Sequence, residues 1–210
     1  MVNSSNDLLR IDAKQFDRAQ QTLGQAFYDY NLMVHAAPTA KRRAPGVTAL
    51  YGAILWDCLR HGEAYSTAEG DGVACWLPPE TPNPTLWRQI HAGMLRLPFY
   101  FGITGFRLLL AYDAVAQKLH HQYAPQPHWY LSAIGVKPDR QGQGLGGALM
   151  LPILARADAR ALPCYLETHR ESNVRLYEKH GFTVVCRAEV PEHSLPIWAM
   201  LREPSAARVS

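Results

Sequence analysis

The densest concentration of chemistry in the chain is the segment Gln141-Gly142-Gln143-Gly144-Leu145-Gly146-Gly147, which joins a strand to a helix. Glycine lets the backbone take positive φ and approach a ligand closely. At the start of a helix, successive N–H groups backed by the positive dipole end form a cradle for a phosphate or pyrophosphate. Read alone, Gly142-x-Gly144-x-x-Gly147, with Glu167 twenty residues later, matches a dinucleotide fingerprint and points to NAD. Two features weigh against that. Lys137–Gln141 intervenes between the strand and the first glycine, and only 63 residues follow Gly147, too few to finish a six-stranded doubly wound sheet.

The elements that must position this loop follow from periodicity. Trp129–Val136 is an eight-residue aromatic and aliphatic run, hence a buried strand, and Lys137–Gln141 is a polar turn. Ala148–Arg160 reads as a long apolar-faced helix, Pro163–Thr168 as a strand and Ser172–His180 as a short helix closed by Gly181. Phe182–Ala188 and Leu195–Arg202 read as two more strands, and Glu203–Ser210 as a frayed end. Upstream, Leu8–Ile11 is a short strand, and Asp12 caps a helix from Ala13 to Phe27 that buries Phe16, Ala19, Leu23 and Ala26. A second helix fits Thr48–Leu59. Gly62–Thr67 and Gly72–Leu77 pair across a Glu69-Gly70-Asp71-Gly72 turn, and Pro78-Pro79 stops the second strand. Pro84–Tyr123 is helix-prone and aromatic, broken by Pro98, Gly102 and Gly105; two kinked helices there form either a packing layer or a wall over a pocket.

Composition narrows the class. The chain has 210 residues, enough for one domain with a real core. A 48% apolar and 19% charged content excludes a disordered chain. A formal net charge of +3 is too small to argue for nucleic acid and suits a small anionic ligand as well. Cys58, Cys75, Cys164 and Cys186 form no C-x-x-C pair, so buried thiols are expected and no metal site. Met1–Arg10 carries no secretory pattern, which makes a reducing cytoplasm the default expectation. The longest uncharged apolar run, Leu97–Phe106, contains Pro98 and falls short of the ~20 residues of a membrane span.

Taken whole, Ile134-Gly135-Val136-x-Pro138-x-x-Gln141-x-x-Gly144-x-Gly146 resembles motif A of the GNAT acetyltransferase superfamily, Gln/Arg-x-x-Gly-x-Gly/Ala. The downstream Leu166-Glu167-Thr168 with Asn173-Val174-Arg175-Leu176-Tyr177-Glu178-Lys179-His180-Gly181-Phe182 resembles motif B, in the right order and separation. His128–Val185, the Val190-Pro191-Glu192 to Trp198-Ala199-Met200 tail and Ala26–Tyr30 resemble in particular the puromycin N-acetyltransferase branch and its uncharacterised relatives. The similarity covers about a third of the chain and leaves Pro84–Tyr123 unmatched. Gln141 replaces the Arg of many relatives, which removes one charge near the pyrophosphate.

The resemblance implies acetyl-CoA as cosubstrate, with its pyrophosphate on the N–H groups of Gln141, Gly142, Gln143, Gly144, Leu145, Gly146 and Gly147. The pantetheine arm would lie along Ile134, Gly135 and Val136 like an added strand. This needs an open edge, which the family makes by splaying that strand from Pro163–Thr168. A main-chain N–H near Ile134–Val136 would polarise the thioester carbonyl. Asn173 matches the asparagine that bonds the arm, although it or Ser172 also suits a helix cap. Tyr177 matches the general acid, a phenol of pKa about 10 that protonates the leaving thiolate without ionising. Glu167, near the splay, is the first candidate base; Tyr130 and Ser132, alternating on one strand face, can order a water instead. His128 and His169 are further candidates. Tyr28, Tyr30 and Trp76, with part of Trp87–Tyr112, would wall the acceptor pocket and suit an apolar or aromatic amine.

The expectation is therefore one GNAT-like α/β domain over residues 1–202, a mixed, mostly antiparallel splayed sheet flanked by helices, with a helical insertion at 84–123. Its activity would be acetyl transfer from acetyl-CoA to a small-molecule primary amine by direct attack, with neither nucleic acid nor membrane as partner. A non-catalytic acyl-CoA sensor is the alternative from another class, and NAD binding a more distant one.

Overall fold

The computed structural model describes residues 8–190 and 194–205. Pro191 and Glu192 of the matched tail, and most of the Glu203–Ser210 segment expected to fray, lie outside the described residues. One sheet organises the chain: β1 (Leu8–Arg10), β2 (Glu63–Thr67), β3 (Gly72–Leu77), β4 (Trp129–Val136), β5 (Cys164–Thr168), β6 (Thr183–Val190) and β7 (Leu195–Arg202). Among the described residues the order is β1-β2-β3-β4-β5-β7-β6, antiparallel throughout except β4 with β5. This mostly antiparallel sheet excludes the doubly wound dinucleotide fold that the glycine fingerprint alone suggested.

The helices bury the two faces. On one side lie α1 (Phe16–Phe27), α2 (Asn31–Ala36), α3 (Ala40–His61) and α5 (Leu97–Tyr123), with short α4 (Leu86–His91) beyond them. Leu23, Val47, Leu55 and Phe101 belong to that core. On the other side α6 (Leu145–Ala159) and α7 (Glu171–Glu178) cover Trp76, Leu131 and Leu166 with Leu149, Ile153 and Tyr177. Asp12 caps the start of the α1 segment through a capping box with Gln15.

Several boundaries differ from the expectation. The second helix begins at Ala40 rather than Thr48, and α2 precedes it. Pro45 sits early in α3, where its missing N–H disrupts little of the ladder. The helix after the glycine loop begins at Leu145, not Ala148, so Gly146 and Gly147 lie inside its first turn. The Pro84–Tyr123 segment is α4, a 3-10 turn at Met94–Arg96 and α5, whose regular dihedrals break at Gly102 (φ 67°, ψ 177°). By length and composition alone Met94–Tyr123 would cross a bilayer. Here it packs on α2 and α3 and is interrupted at Gly102.

The splay lies beside a bulge. β4 and β5 pair only at Trp129–Cys164 and Tyr130–Tyr165. In the β3–β4 ladder, Trp76 faces Leu131 and its neighbour Cys75 faces Ala133, so Ser132 is an extra residue in β4. A bulge bends its strand and increases twist. It falls two residues after the last β4–β5 pair, where β4 has parted from β5.

Candidate active site

Beyond Tyr130 the β4 edge is free of β5, and a cavity of about 350 Å³ opens there. Tyr130, Leu131, Ser132, Ala133 and Ile134 all line it. Side chains alternate faces along a strand, so five consecutive residues share one cavity only if its edge forms the wall. Facing it on β5 and just beyond are Glu167, Thr168 and His169. Helix α5 closes the far side with a stripe at helical spacing, Leu109, Tyr112, Asp113, Ala116, Gln117 and His120. The segment 84–123 is thus both a packing layer and a cavity wall.

Tyr130 Oη donates to Glu167 Oε2 at 2.9 Å, and Glu167 Oε1 is buried without a partner. Burial pushes the Glu167 carboxyl up to about 8, against the stabilisation of its anion by the Tyr130 hydroxyl and then by the neighbouring Tyr165 hydroxyl. Asp113 raises it further by like charge. Tyr177 sits on α7 at the same cavity, and burial lifts its phenol above the ordinary value. It therefore stays protonated at neutral pH. His169 is held near 4 by burial, with a contribution from Arg170; its Nδ1 is 3.4 Å from Tyr112 Oη and its Nε2 is unpartnered.

Asn173 caps nothing. Its Nδ2 donates to Tyr30 Oη at 2.9 Å, and neither it nor Ser172 provides a side-chain cap to α7. Tyr30 is further fixed by the Arg170 guanidinium, 4.1 Å from its ring centroid. Behind Tyr30, Phe27 and Tyr51 stack at 3.8 Å.

The glycine loop lies at the far end of the same strand. Gly142 and Gly144 have φ of 78° and 81°, and no neighbouring atom approaches within 4 Å of where a Cβ would sit. Ala148 N–H makes the first helical bond, to the Gly144 carbonyl; the N–H groups from Gly142 to Gly147 meet no described acceptor. The Gln141 side chain folds back to donate to the Val136 carbonyl at 3.0 Å and its N–H donates to the Pro138 carbonyl, so, against the expectation for Gln141, the free N–H groups begin at Gly142. Gly135 and Gly147 serve packing: a Cβ would lie 2.7 Å from Ala26 Cβ at the first and from His180 Nε2 at the second. The turn before the loop is stapled by Asp71, which accepts from Lys137 Nζ at 2.8 Å and Arg140 Nε at 2.9 Å. Lys137, then Arg140, holds the Asp71 carboxyl below its usual range.

The free edge, the unpaired N–H groups and the open space at Gly142 and Gly144 together suit a long, flexible thioester with a pyrophosphate. Glu167, Tyr177, Tyr30, Tyr130, Ser132, Ile134 and Asn173 converge on the cavity. Trp76 does not. It is fully buried beneath α6, because strand alternation sends Cys75 and Leu77 to one face and Trp76 to the other. Tyr28 is also displaced, lying under Arg43 with the guanidinium 4.6 Å from its ring. His128 is buried against Gln126 and His120 and faces no cavity. Sequence reasoning missed Tyr51, Asp57, Asp113 and His120; the helical stripe along 109–120 was the available signal.

A family model for the acetyltransferase (GNAT) family matches residues 81–182. An uncharacterised N-acetyltransferase of Schizosaccharomyces pombe is 25% identical over 205 residues, covering 93% of this chain and 82% of the relative. The solved structure of a histone acetyltransferase HPA2 and related acetyltransferase from Corynebacterium glutamicum superposes with a TM-score of 0.67 at 22% identity, covering 96% of this chain and 98% of that one. Arylalkylamine N-acetyltransferase 2 of Aedes aegypti gives a TM-score of 0.62 at 14% identity, covering 95% and 99%. The chain is therefore similar to GNAT acetyltransferases over residues 81–182, and it shares its fold with solved acetyltransferase structures along most of its length.

Proposed function

We propose that the protein transfers an acetyl group from acetyl-CoA to the primary amine of a small molecule, by direct attack in a ternary complex. The observation that carries this reading is the cavity at the β4–β5 splay, bordered by the unpartnered carboxylate oxygen of Glu167 and the buried phenol of Tyr177. Acetyl-CoA, the cosubstrate of GNAT enzymes, supplies the activated acetyl thioester. The N–H groups of residues 142–147 hold its pyrophosphate and the free β4 edge orients its arm.

A primary amine has a pKa of about 10.4 and an ordinary Glu about 4.3. Raising Glu167 to about 8 closes most of that gap, so the carboxylate takes the ammonium proton directly or through one water. Tyr177, neutral, donates to the developing thiolate. The apolar and aromatic walls, Phe27, Leu32, Met33, Tyr51 and Tyr112, favour an acceptor with an apolar or aromatic body. The motifs also resemble those of the puromycin N-acetyltransferase branch, a resemblance that leaves the acceptor's identity open. We place the acetyltransferase domain over residues 1–202, with 84–123 as its insertion, and the protein in a reducing compartment such as the cytoplasm; the four free cysteines support the latter.

The test is a thermal shift with acetyl-CoA and NAD in parallel, followed by thiol release against an amine panel. Ligand at ~100 times its Kd adds about 2.7 kcal/mol and raises the midpoint by several degrees. A shift with acetyl-CoA and amine-dependent thiol release are expected. A shift with NAD alone overturns the reading, and acetyl-CoA binding without turnover by any amine favours the sensor.

A further inference from the structure

Two buried histidines in the helical insertion and its connector are unused by this mechanism. His120 and His128 approach through their Nε2 atoms at 2.6 Å, and His128 Nδ1 lies 2.6 Å from the Gln126 carbonyl oxygen. A carbonyl only accepts, so His128 Nδ1 carries its proton. Burial lowers both rings, His120 to about 3, and both are neutral at physiological pH. Neutral His128 then presents a lone pair at Nε2, and the contact requires His120 to donate from its own Nε2. His120 Nδ1 is left with a lone pair and, among the described residues, no donor reaches it.

His120 is 3% exposed and lines the cavity. Its ring stacks on Tyr165 at 4.7 Å and lies 4.4 Å from the ring of Tyr130, whose hydroxyl meets Glu167. One aromatic ring, Tyr130, therefore separates the Glu167 carboxyl from His120. The His120 Nδ1 lone pair is not among the fully enclosed orphan atoms, so a donor on a molecule in the cavity can reach it.

We propose that His120 Nδ1 is a second recognition point in the acceptor cavity, taking an N–H or O–H donor that the substrate carries in addition to its reacting amine. The substrate class is then a primary amine with an apolar or aromatic body and a second donor, such as a diamine, an amino alcohol or an aminophenol. His128 is a positioning residue that locks the tautomer of His120. The inference rests on the acetyl-transfer reading of the cavity.

The experiment compares kcat/KM by thiol release for matched amines: phenethylamine with its 4-hydroxy derivative, and hexylamine with 6-aminohexanol and 1,6-diaminohexane. Wild type is expected to favour a donor-bearing member by about tenfold or more, because a site built to bond a donor rejects the analogue lacking it. His120→Phe should bring that ratio to within about twofold, and His120→Asn, which keeps an acceptor, should retain part of it. His128→Leu, away from the cavity, should lower the ratio through KM more than kcat, and it keeps the test decisive where His120→Phe does not fold. Equal efficiencies in wild type, or an unchanged ratio in the folded variants, overturn the proposal while leaving acetyl transfer intact. Absence of turnover with every amine overturns both.

Discussion

Tyr130 Oη and Glu167 Oε2, on neighbouring strands, lie 2.9 Å apart just where those strands separate. The last shared pair, Tyr130 with Tyr165, fixes this geometry, and the bulge at Ser132 lies where β4 has parted from β5. If Glu167 is the base, its raised pKa of about 8 sets the ascending limb of kcat/KM against pH in the free enzyme. Glu167→Gln should abolish that limb and lower kcat/KM by about 10²–10⁴. Tyr130→Phe removes a bond that stabilises the anion, so its limb should move to higher pH. A pH profile of thiol release checks both, and an unchanged Glu167→Gln profile removes Glu167 from the chemistry.

The same carboxyl has a stability signature. Its folded pKa, about 8, exceeds the unfolded value of about 4.3, so the folded state holds one more proton between them. Stability from this group is complete below pH 4.3 or so and is lost as pH rises towards 8. Glu167→Gln should therefore show a smaller fall in thermal midpoint than wild type between pH 5 and pH 8.

Tyr177→Phe removes the proton donor and no described hydrogen bond. Turnover should fall about tenfold or more, while the thermal shift with acetyl-CoA persists. Unchanged turnover would take Tyr177 out of the mechanism.

The two ends of the glycine loop should respond differently to alanine. At Gly144 a side chain meets open space, but φ of 81° strains any L residue. Gly144→Ala should cost about 1–2 kcal/mol and weaken acetyl-CoA binding by misaligning the N–H groups. At Gly147 the backbone is helical and the obstacle is the His180 ring, which is tied to the Leu176 carbonyl at 2.9 Å. Gly147→Ala should loosen α6 from α7 and lower the midpoint without a comparable loss of affinity. Calorimetry separates the two effects.

Asp57 on α3 and Arg88 on α4 form a buried bidentate pair, 2.8 and 2.6 Å, that pins the short helix beside the cavity. Asp57→Ala leaves a guanidinium uncompensated, and removing one partner of such a pair costs about 3–5 kcal/mol. The loss should appear first as proteolysis near α4 and as a raised KM for the acceptor, read by limited digestion and steady-state kinetics.

Local pattern determined much of this protein. The Trp129–Val136 run, the Asp12 cap, the hairpin at Gly70 and the glycine spacing placed β4 and the glycine loop from residue type and spacing, because each depends on neighbours within a few positions; Glu167 and Tyr177 were singled out by the resemblance to the two acetyltransferase motifs. The early part of α3 escaped, since Ala40–Val47 carries a proline and lacks a clean apolar stripe, and tertiary packing supplies its stability. Which aromatic residues face the acceptor was decided only by the tertiary structure. Trp76 and Tyr130 look equivalent as strand aromatics. Trp76 lies beneath α6 because alternation along β3 turns it to that face, and Tyr130 lies where β4 and β5 part. His120 meets Tyr130, Tyr165 and the cavity only through the docking of α5 across the sheet. Contacts between segments distant in sequence leave no local signature, and the acceptor cavity is made of them.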